Sequence, residues 1–428
     1  MKDGNKMYAL CEELFPINRS LTGQGVRETL NIIKRELSDL KIFEVPSGTN
    51  CFDWKIPKEW NCKDAYLIDP NGKKFCDFKE NNLHLVGYSL PINKKMKLDD
   101  LQNYLYSLPN NPSAIPYVTS YYKERWGFCL KDEVRQNLID GEYKVFIDSK
   151  LEDGHMSYGE LIFPGETEQE IFLSTYICHP SMANNELSGP VLTQALAKYI
   201  QLLKSRRYTY RIIFIPETIG SIYYLSKHLE NMKSNIIAGY NISCVGDDLV
   251  YSFLPSRRGD TLSDRIAMHV LDNYVDKYIK YSFLDRGSDE RQYCSPKVNL
   301  PIACISRSKY GEYKEYHTSK DDLNFISAKG LQNSYEVYKK CIDALENNKV
   351  YEVTEYCEPQ LGKRGLYPTL GAKKERNKLL KNIMNFLAYA DGKNDLLKIS
   401  SIVRTSIWEL GEIVNLLLNE KLIKEVKN

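Results

Sequence analysis

Two of the six histidines lie next to groups that could bind a metal ion together with them. His179 directly follows the apolar run IFLSTYIC, and Asn185 and Glu186 come shortly after it in the segment CHPSMANNELSG. His317 lies in GEYKEYHTSKDDL, after a second apolar run, PIACIS. Imidazole nitrogen and carboxylate oxygen are typical zinc ligands, and catalytic zinc sites keep one position open for water. We therefore expect His179 and His317 to converge on one zinc ion.

A carboxylate that could act as a general base ends another apolar run. Glu217 is the last residue of RIIFIPE, directly before TIGS. A carboxylate at the end of such a strand, beside a metal ion, is the kind of group that takes a proton from an attacking water. The pattern predicts Glu217 to be the catalytic residue of a hydrolase.

Two loop segments that are dense in charge and glycine, SRRGD and RGSDERQY, could shape a substrate pocket. Arg257 or Arg258 could bind a substrate carboxylate through two parallel hydrogen bonds. Asp289 or Glu290 could receive an amine, and Tyr316 could donate a hydrogen bond to an oxyanion. Charges of this kind are equally typical of a solvated loop, so both interpretations stay open.

The elements that must position these groups follow an α/β pattern. Continuous apolar runs, of the kind that is buried on both faces of a sheet, alternate with amphipathic helices. The alternation predicts a mainly parallel sheet with helices on both faces, and functional groups collect at the carboxyl ends of such strands. The predicted strands are 170–177, 210–217, 237–246 and 300–306, and the predicted helices are 188–205, 221–232, 261–277 and one that ends near 348.

One long insertion interrupts this pattern, and a separate tail follows it. Residues 1–44 and 161–350 carry the α/β domain, whereas the short β-rich runs and turn signals of 45–160 predict an inserted β-rich domain. Residues 371–428 contain three helical segments and a short β-like end. This order resembles a winged helix-turn-helix, in which Ser406 could cap the third helix.

The order of the segments HPSMANNELSG, PETIGS and YHTSKD resembles the zinc aminopeptidases of the bacterial leucyl aminopeptidase and glutamate carboxypeptidase type. With the β-rich stretch from FDWKIPKEW to RWGFC and the winged-helix tail, nearly the whole chain is similar to an uncharacterised bacterial family. That family is described as having an aminopeptidase-like domain, an inserted β domain and a terminal winged helix. The resemblance implies a zinc-peptidase-like fold and a metal-dependent hydrolase.

Three positions depart from the zinc-peptidase pattern. Asn185 stands where those enzymes carry the aspartate that bridges two ions, Thr218 replaces the second glutamate, and Asn241 lies in the strand of the next aspartate. A neutral amide oxygen is a poorer ligand for a dication than a carboxylate, so one zinc ion is expected instead of two. The oxygen ligand beside the two histidines would come from Asn185, Glu186 or Asp247, and these alternatives stay open.

The composition is that of an ordinary globular protein. The 428 residues suffice for about three domains, 43% are hydrophobic, 27% are charged, and the formal net charge is +2. These values exclude a disordered chain and an overall basic field for nucleic acid. The 11 cysteines are scattered without a CxxC motif, so no disulfide framework is expected. Neither a membrane-length apolar run nor a signal-peptide pattern occurs, which predicts a cytoplasmic protein without membrane contact.

Three functional interpretations stay open. The first is a zinc-dependent hydrolase, aminopeptidase- or carboxypeptidase-like, that cleaves an amide bond of a peptide or small-molecule substrate. The second is a peptidase fold that has lost metal ligands and serves as a binding or regulatory module. The third is a DNA-binding regulator that acts through the tail. Because the third helix of the tail, SIWELGEIVNLLL, lacks positive charge, we favour a protein partner over nucleic acid.

Overall fold

The computed structural model describes residues 3–366 and 374–426, which form two compact units. The first unit comprises the chain up to Asp264 together with Lys277–Glu336. The second comprises Arg265–Asp276 together with the chain from Val337 onwards. No helix within the described ranges combines the length and the apolar character that crossing a membrane requires.

The helices and strands follow one another along both units. The α-helices are α1 Asp3–Leu14, α2 Gln24–Glu36, α3 Leu98–Leu101, α4 Asp132–Arg135, α5 Ser188–Gln201, α6 Ile219–Asn235, α7 Leu262–Tyr274, α8 Glu290–Tyr293, α9 Ala328–Asn347, α10 Lys374–Tyr389, α11 Leu396–Val403 and α12 Ile407–Asn419. The strands are β1 Lys41–Pro46, β2 Asn50–Cys51, β3 Trp54–Lys55, β4 Glu59–Ile68, β5 Lys74–Phe75, β6 Ile92–Lys97, β7 Leu105–Tyr106, β8 Phe128–Cys129, β9 Glu142–Glu152, β10 His155–Phe163, β11 Glu170–Tyr176, β12 Thr209–Ile215, β13 Ile236–Asn241, β14 Tyr251–Leu254, β15 Tyr278–Lys280, β16 Ile302–Ser306, β17 Val350–Val353, β18 Asp391–Asp395 and β19 Ile423–Val426.

A large sheet forms the centre of the first unit, with the strand order β1-β10-β12-β11-β13-β16-β14-β15. The central strands β12, β11, β13 and β16 are parallel to their neighbours within this group, whereas the flanking pairings β1–β10, β10–β12 and β14–β16 are antiparallel. Every residue of β11 and β16 is buried, as expected of strands that are covered on both faces. The predicted α/β fold with a mainly parallel sheet is therefore confirmed.

The register of the central strands determines where the candidate site forms. Tyr176 at the end of β11 pairs with Ile215 at the end of β12, so the two strands finish side by side. His179 and Glu217 follow these ends within three residues in the chain. Parallel strands leave the sheet at the same edge, which is why residues far apart in sequence meet there.

The inserted segment builds a smaller sheet of its own, in the order β5-β4-β9-β6. Long cross-strand pairing between β4 and β9 holds it together, and Tyr143 and Val145 of β9 are buried in its core. The chain leaves the large sheet after Pro46 and returns to it at His155. The boundaries at 45 and 160 stay a prediction from the sequence.

The second unit contains the winged helix-turn-helix. Helices α10, α11 and α12 accompany a three-stranded sheet in the order β18-β17-β19. Ser406 caps α12, since its hydroxyl oxygen accepts a hydrogen bond from the Glu409 N–H at 3.3 Å, as the sequence predicts. The sheet begins with β17, well before residue 371, and the predicted domain start at 371 lies outside the described residues.

Candidate functional site

His179 lies just beyond the end of β11 and is held from one side by a carboxylate. Its Nδ1 is 2.9 Å from Oε2 of Glu186, which belongs to the helical turn Ala183–Leu187 before α5. Burial lowers the pKa of His179, but the groups beside Nδ1, Cys178 and Glu186, outweigh it and raise the pKa, so a metal ion bound at Nε2 would displace a proton. Nε2 faces Glu217, whose Oε2 is 3.7 Å away.

Glu186 is itself bound to a buried arginine that sequence reasoning missed. Arg19, in the loop between α1 and α2, places Nε 3.7 Å from Oε1 of Glu186, and both side chains are 0% exposed. The same Nε donates to the carbonyl oxygen of His179 at 3.1 Å. Burial raises the pKa of Glu186, while His179 and Arg19 act in the opposite direction. The arginine therefore anchors the backbone of His179 and the carboxylate that orients its ring.

Glu217 projects into the same region from the end of β12. Its backbone N–H donates to the Cys178 sulfur at 3.2 Å, and its Oε1 accepts a hydrogen bond from the Ser288 hydroxyl at 2.7 Å. The second oxygen, Oε2, faces His179. The side chain is 22% exposed, so water can reach the carboxylate while one of its oxygens is held in place.

His317 reaches the site from the loop that follows β16. Its ring lies 5.6 Å from the ring of His179, centre to centre, and the ring of Tyr316 stacks on it at 3.9 Å. Nε2 of His317 is buried without a hydrogen-bond partner among the described residues. Burial, and then the neighbouring His179, lower the pKa of His317 to about 3, so the ring is a neutral imidazole.

The donor atoms around Nε2 of His179 match those that zinc prefers. A buried imidazole nitrogen without a partner, on His317, is a costly feature that a metal bond would satisfy. Nε2 of His179 and a Glu217 oxygen supply nitrogen and oxygen donors from the same region. On the opposite side of the His179 ring, Cys178, His179 and Glu186 bring their donor atoms within 4.8 Å of one another. Burial raises the pKa of the Cys178 thiol to about 11, so that group is a neutral thiol and a weak ligand.

The remaining candidate ligands are engaged elsewhere. Asn185 Oδ1 accepts a hydrogen bond from the Tyr176 hydroxyl at 3.1 Å. Asp247 lies in a separate cluster, where Oδ2 accepts from the Asn184 side-chain amide at 3.0 Å and from the Ser308 N–H at 2.9 Å. The structure does not bring Asp247 to the two histidines, because the loop beyond β13 turns its carboxylate toward these hydrogen-bond donors.

The three predicted substrate-binding residues are placed differently from one another. Arg257 is exposed and donates to Asn299 Oδ1 at 2.5 Å, outside the cavity described below. Asp289 is fully buried and accepts the Thr218 N–H at 2.7 Å, so it supports the backbone next to Glu217 instead of facing a ligand. Burial, and then Glu217, raise the pKa of Asp289 to about 8. Tyr316 supports the ring of His317 and does not line the cavity.

A cavity of about 340 Å³ opens in front of the two histidines. One wall is aromatic and comes from the inserted segment. Arg291 also lines the cavity, and sequence reasoning did not name it. The lining residues are Leu21, Trp54, Tyr117, Thr119, Tyr121, Tyr122, Cys178, His179, Glu217, Thr218, Ile219, Arg291 and His317.

Comparison with known proteins assigns the chain to a family. Residues 8–348 match the family model described as a domain of unknown function, DUF4910. The chain belongs to the DUF4910 family. Residues 349–425 match a winged helix-turn-helix model, which confirms the predicted winged helix.

The DUF4910 chain has a similar relative of nearly its own length in Clostridium acetobutylicum. This relative is provisionally named as a polysaccharide biosynthesis protein with an aminopeptidase-like domain, and it is 47% identical over 398 residues, 93% of this chain and 91% of its own. A crystal structure from the same organism, provisionally described as a peptidase, superposes with a TM-score of 0.93 at 44% identity and covers 99% of this chain and 96% of its own.

More distant solved structures show the type of fold. A zinc aminopeptidase of Bacillus subtilis superposes with a TM-score of 0.57 at 13% identity, covering 80% of this chain and 94% of its own. An aminopeptidase of Aneurinibacillus sp. strain AM-1 gives a TM-score of 0.52 at 13% identity, with 80% and 94% covered. The DUF4910 chain therefore has an aminopeptidase-like fold, as the resemblance in its sequence implies.

Proposed function

We propose that this DUF4910 protein is a metal-dependent hydrolase that cleaves an amide bond in a peptide or small-molecule substrate. The observation that carries the proposal is the arrangement at one end of the cavity. There, Nε2 of His179 and the carboxylate of Glu217, which follow the ends of β11 and β12, meet the unpartnered Nε2 of His317 from the loop after β16. The aminopeptidase-like fold also supports a metal-dependent hydrolase.

In this proposal one zinc ion is held by His179 and His317, and the protein supplies the rest of the chemistry. A bound zinc would polarise a carbonyl and lower the pKa of water. Glu186 orients the His179 ring through Nδ1, and Ser288 fixes one oxygen of Glu217. The free oxygen of Glu217 is the proton acceptor for the attacking water, and its protonated form can later donate to the leaving nitrogen.

The test combines metal analysis with one substitution. Purified wild-type protein should contain about one zinc per chain by mass spectrometry of the metals. Glu217→Gln should retain this zinc and lose about 10²- to 10⁴-fold of the amide hydrolysis found in a screen of peptides and N-acyl amino acids. Glu168→Gln is a matched control, because Glu168 is exposed and precedes the opposite end of β11. Zinc-free protein, or a fully active Glu217→Gln variant, would refute the proposal.

A second candidate function is a binding or regulatory module built on the same fold. Two amides favour it, because Asn185 and Asn241 stand where carboxylates would strengthen a metal site. Asn241 Nδ2 donates to Ser288 Oγ at 3.3 Å and to Glu290 Oε2 at 3.2 Å, so its amide is built into the protein. Turnover of any amide that is lost on chelation and regained with zinc would exclude a purely binding role.

We infer a protein partner, and not nucleic acid, for the winged helix. The helix that would read DNA, α12, contains no lysine or arginine and carries Glu409 and Glu412. Phosphate contacts need such cations, and binding that rests on them weakens steeply with salt. Electrophoretic mobility shift of random duplex DNA should show no binding at 150 mM salt. A retarded band that disappears as salt rises would overturn this inference.

A further inference from the structure

Arg291 brings a positive charge to the wall of the cavity. Among the described residues that line the cavity, it is the one lysine or arginine. It belongs to the short helix α8, and its Nη2 donates to Thr218 Oγ1 at 2.7 Å. The preceding segment holds the same threonine, because Asp289 Oδ1 accepts the Thr218 N–H at 2.7 Å. Two hydrogen bonds thus position Arg291 next to Glu217.

The charge of this guanidinium is not balanced by the protein. Within the described part of the chain, no carboxylate oxygen lies within 4.0 Å of Arg291, and its hydrogen-bond partner Thr218 is neutral. Arg291 is exposed, so the N–H groups that do not donate to Thr218 are open to a ligand from solvent. Arg257, the sequence-based candidate for such a role, points its guanidinium to Asn299 instead.

We propose that Arg291 is a specificity-determining residue that binds a carboxylate of the substrate. A planar guanidinium matches a carboxylate through two parallel hydrogen bonds, and lysine cannot reproduce this geometry. The cavity of about 340 Å³ is at the small end for ligand pockets, so a molecule bound beside Glu217 also lies within reach of Arg291. The aromatic wall, which includes Trp54 and Tyr117, suits an apolar group of the same ligand. The substrate class is therefore an N-acylated amino acid or the carboxyl-terminal residue of a peptide.

This assignment rests on the proposed function for the amide, but recognition of the carboxylate can be measured without turnover. Isothermal titration would use Glu217→Gln protein with N-acetyl-L-leucine and, as a neutral probe of the same shape, N-acetyl-L-leucinamide. We expect the acid to bind about tenfold more tightly than the amide. Adding Arg291→Gln should abolish this preference, and adding Arg291→Lys should leave only part of it.

Arg286→Gln provides the matched control, because Arg286 lies in the loop directly before α8, is exposed and does not line the cavity. In the Glu217→Gln background it should leave the preference for the acid unchanged. Circular dichroism verifies that each variant is folded. Equal affinity for the two probes, an unchanged preference after Arg291→Gln, or no binding of the acid would overturn the inference. A hydrolase assay that fails while the Arg291-dependent preference persists would instead refute only the proposed function.

Discussion

Replacing Glu186 by glutamine tests whether a buried charge pair holds the candidate site together. Glu186→Gln keeps the size of the side chain and an oxygen that accepts from His179, but it leaves the buried charge of Arg19 uncompensated. Two unit charges 3.7 Å apart interact by about 4.5 kcal/mol at an effective dielectric constant of about 20. Breaking a buried pair by removing one partner costs about 3–5 kcal/mol. We therefore expect Glu186→Gln to lower the free energy of unfolding by about 3–4 kcal/mol.

The measurement is urea denaturation at pH 8, followed by far-UV circular dichroism. Glu36→Gln is the matched control, because Glu36 pairs with Lys198 at the surface, where such pairs contribute about 0–1 kcal/mol. Adding Arg19→Met to Glu186→Gln should restore part of the loss, since no unpaired charge then remains buried. A loss no larger than that of Glu36→Gln, or no rescue by Arg19→Met, would refute the reasoning.

Three further substitutions test other parts of the fold. Burial raises the pKa of Glu59, but hydrogen bonds from Arg27, the His155 N–H and Asn61 together outweigh it and lower the pKa to about 2. Glu59→Gln should therefore lower the free energy of unfolding by about 1–2 kcal/mol above pH 5, after allowance for solvent screening, and leave it unchanged near pH 2. Urea titrations at a series of pH values can measure this difference. Ser406→Ala should cost about 1 kcal/mol by removing the cap of α12, and an unchanged melting temperature would contradict that role. Gly189→Ala should destabilise the protein by about 1–3 kcal/mol, because the added Cβ would lie 2.5 Å from the backbone oxygen of Ile242. This clash outweighs the better helix propensity of alanine, and a higher melting temperature would disprove it.

The elements that the sequence predicts best are those whose patterns are strong and local. The apolar runs that form β11, β12, β13 and β16 have the continuous apolar pattern of strands that are buried on both faces. His179 and Glu217 come shortly after two of these runs, which is how the sequence indicated them. The segment LDDLQNYLYSL has a weaker pattern: its apolar spacing predicts one longer helix, but it forms only α3 and one further helical turn. Its last part instead pairs as β7 with β8, because contact with a distant strand overrides local propensity.

Partners that are far apart in the chain had no signal in the sequence. Arg19 reaches Glu186 across more than 160 residues, and Arg291 reaches Thr218 across 73. Each of these contacts depends on how the loops at the strand ends pack. A charged residue in a loop has the same sequence pattern whether its side chain faces solvent or a cavity. For the same reason the sequence could not distinguish Arg257 from Arg291.

The sequence by itself determined the α/β fold, the winged helix and the residue types at the candidate site, because periodicity and strand ends are local properties of the chain. Only the tertiary structure decided which carboxylate faces which nitrogen of His179. It turned Glu186 to Nδ1 of His179 and Glu217 toward Nε2, and it held Asp247 in another cluster. Those choices follow from the packing of loops that spacing along the chain does not specify.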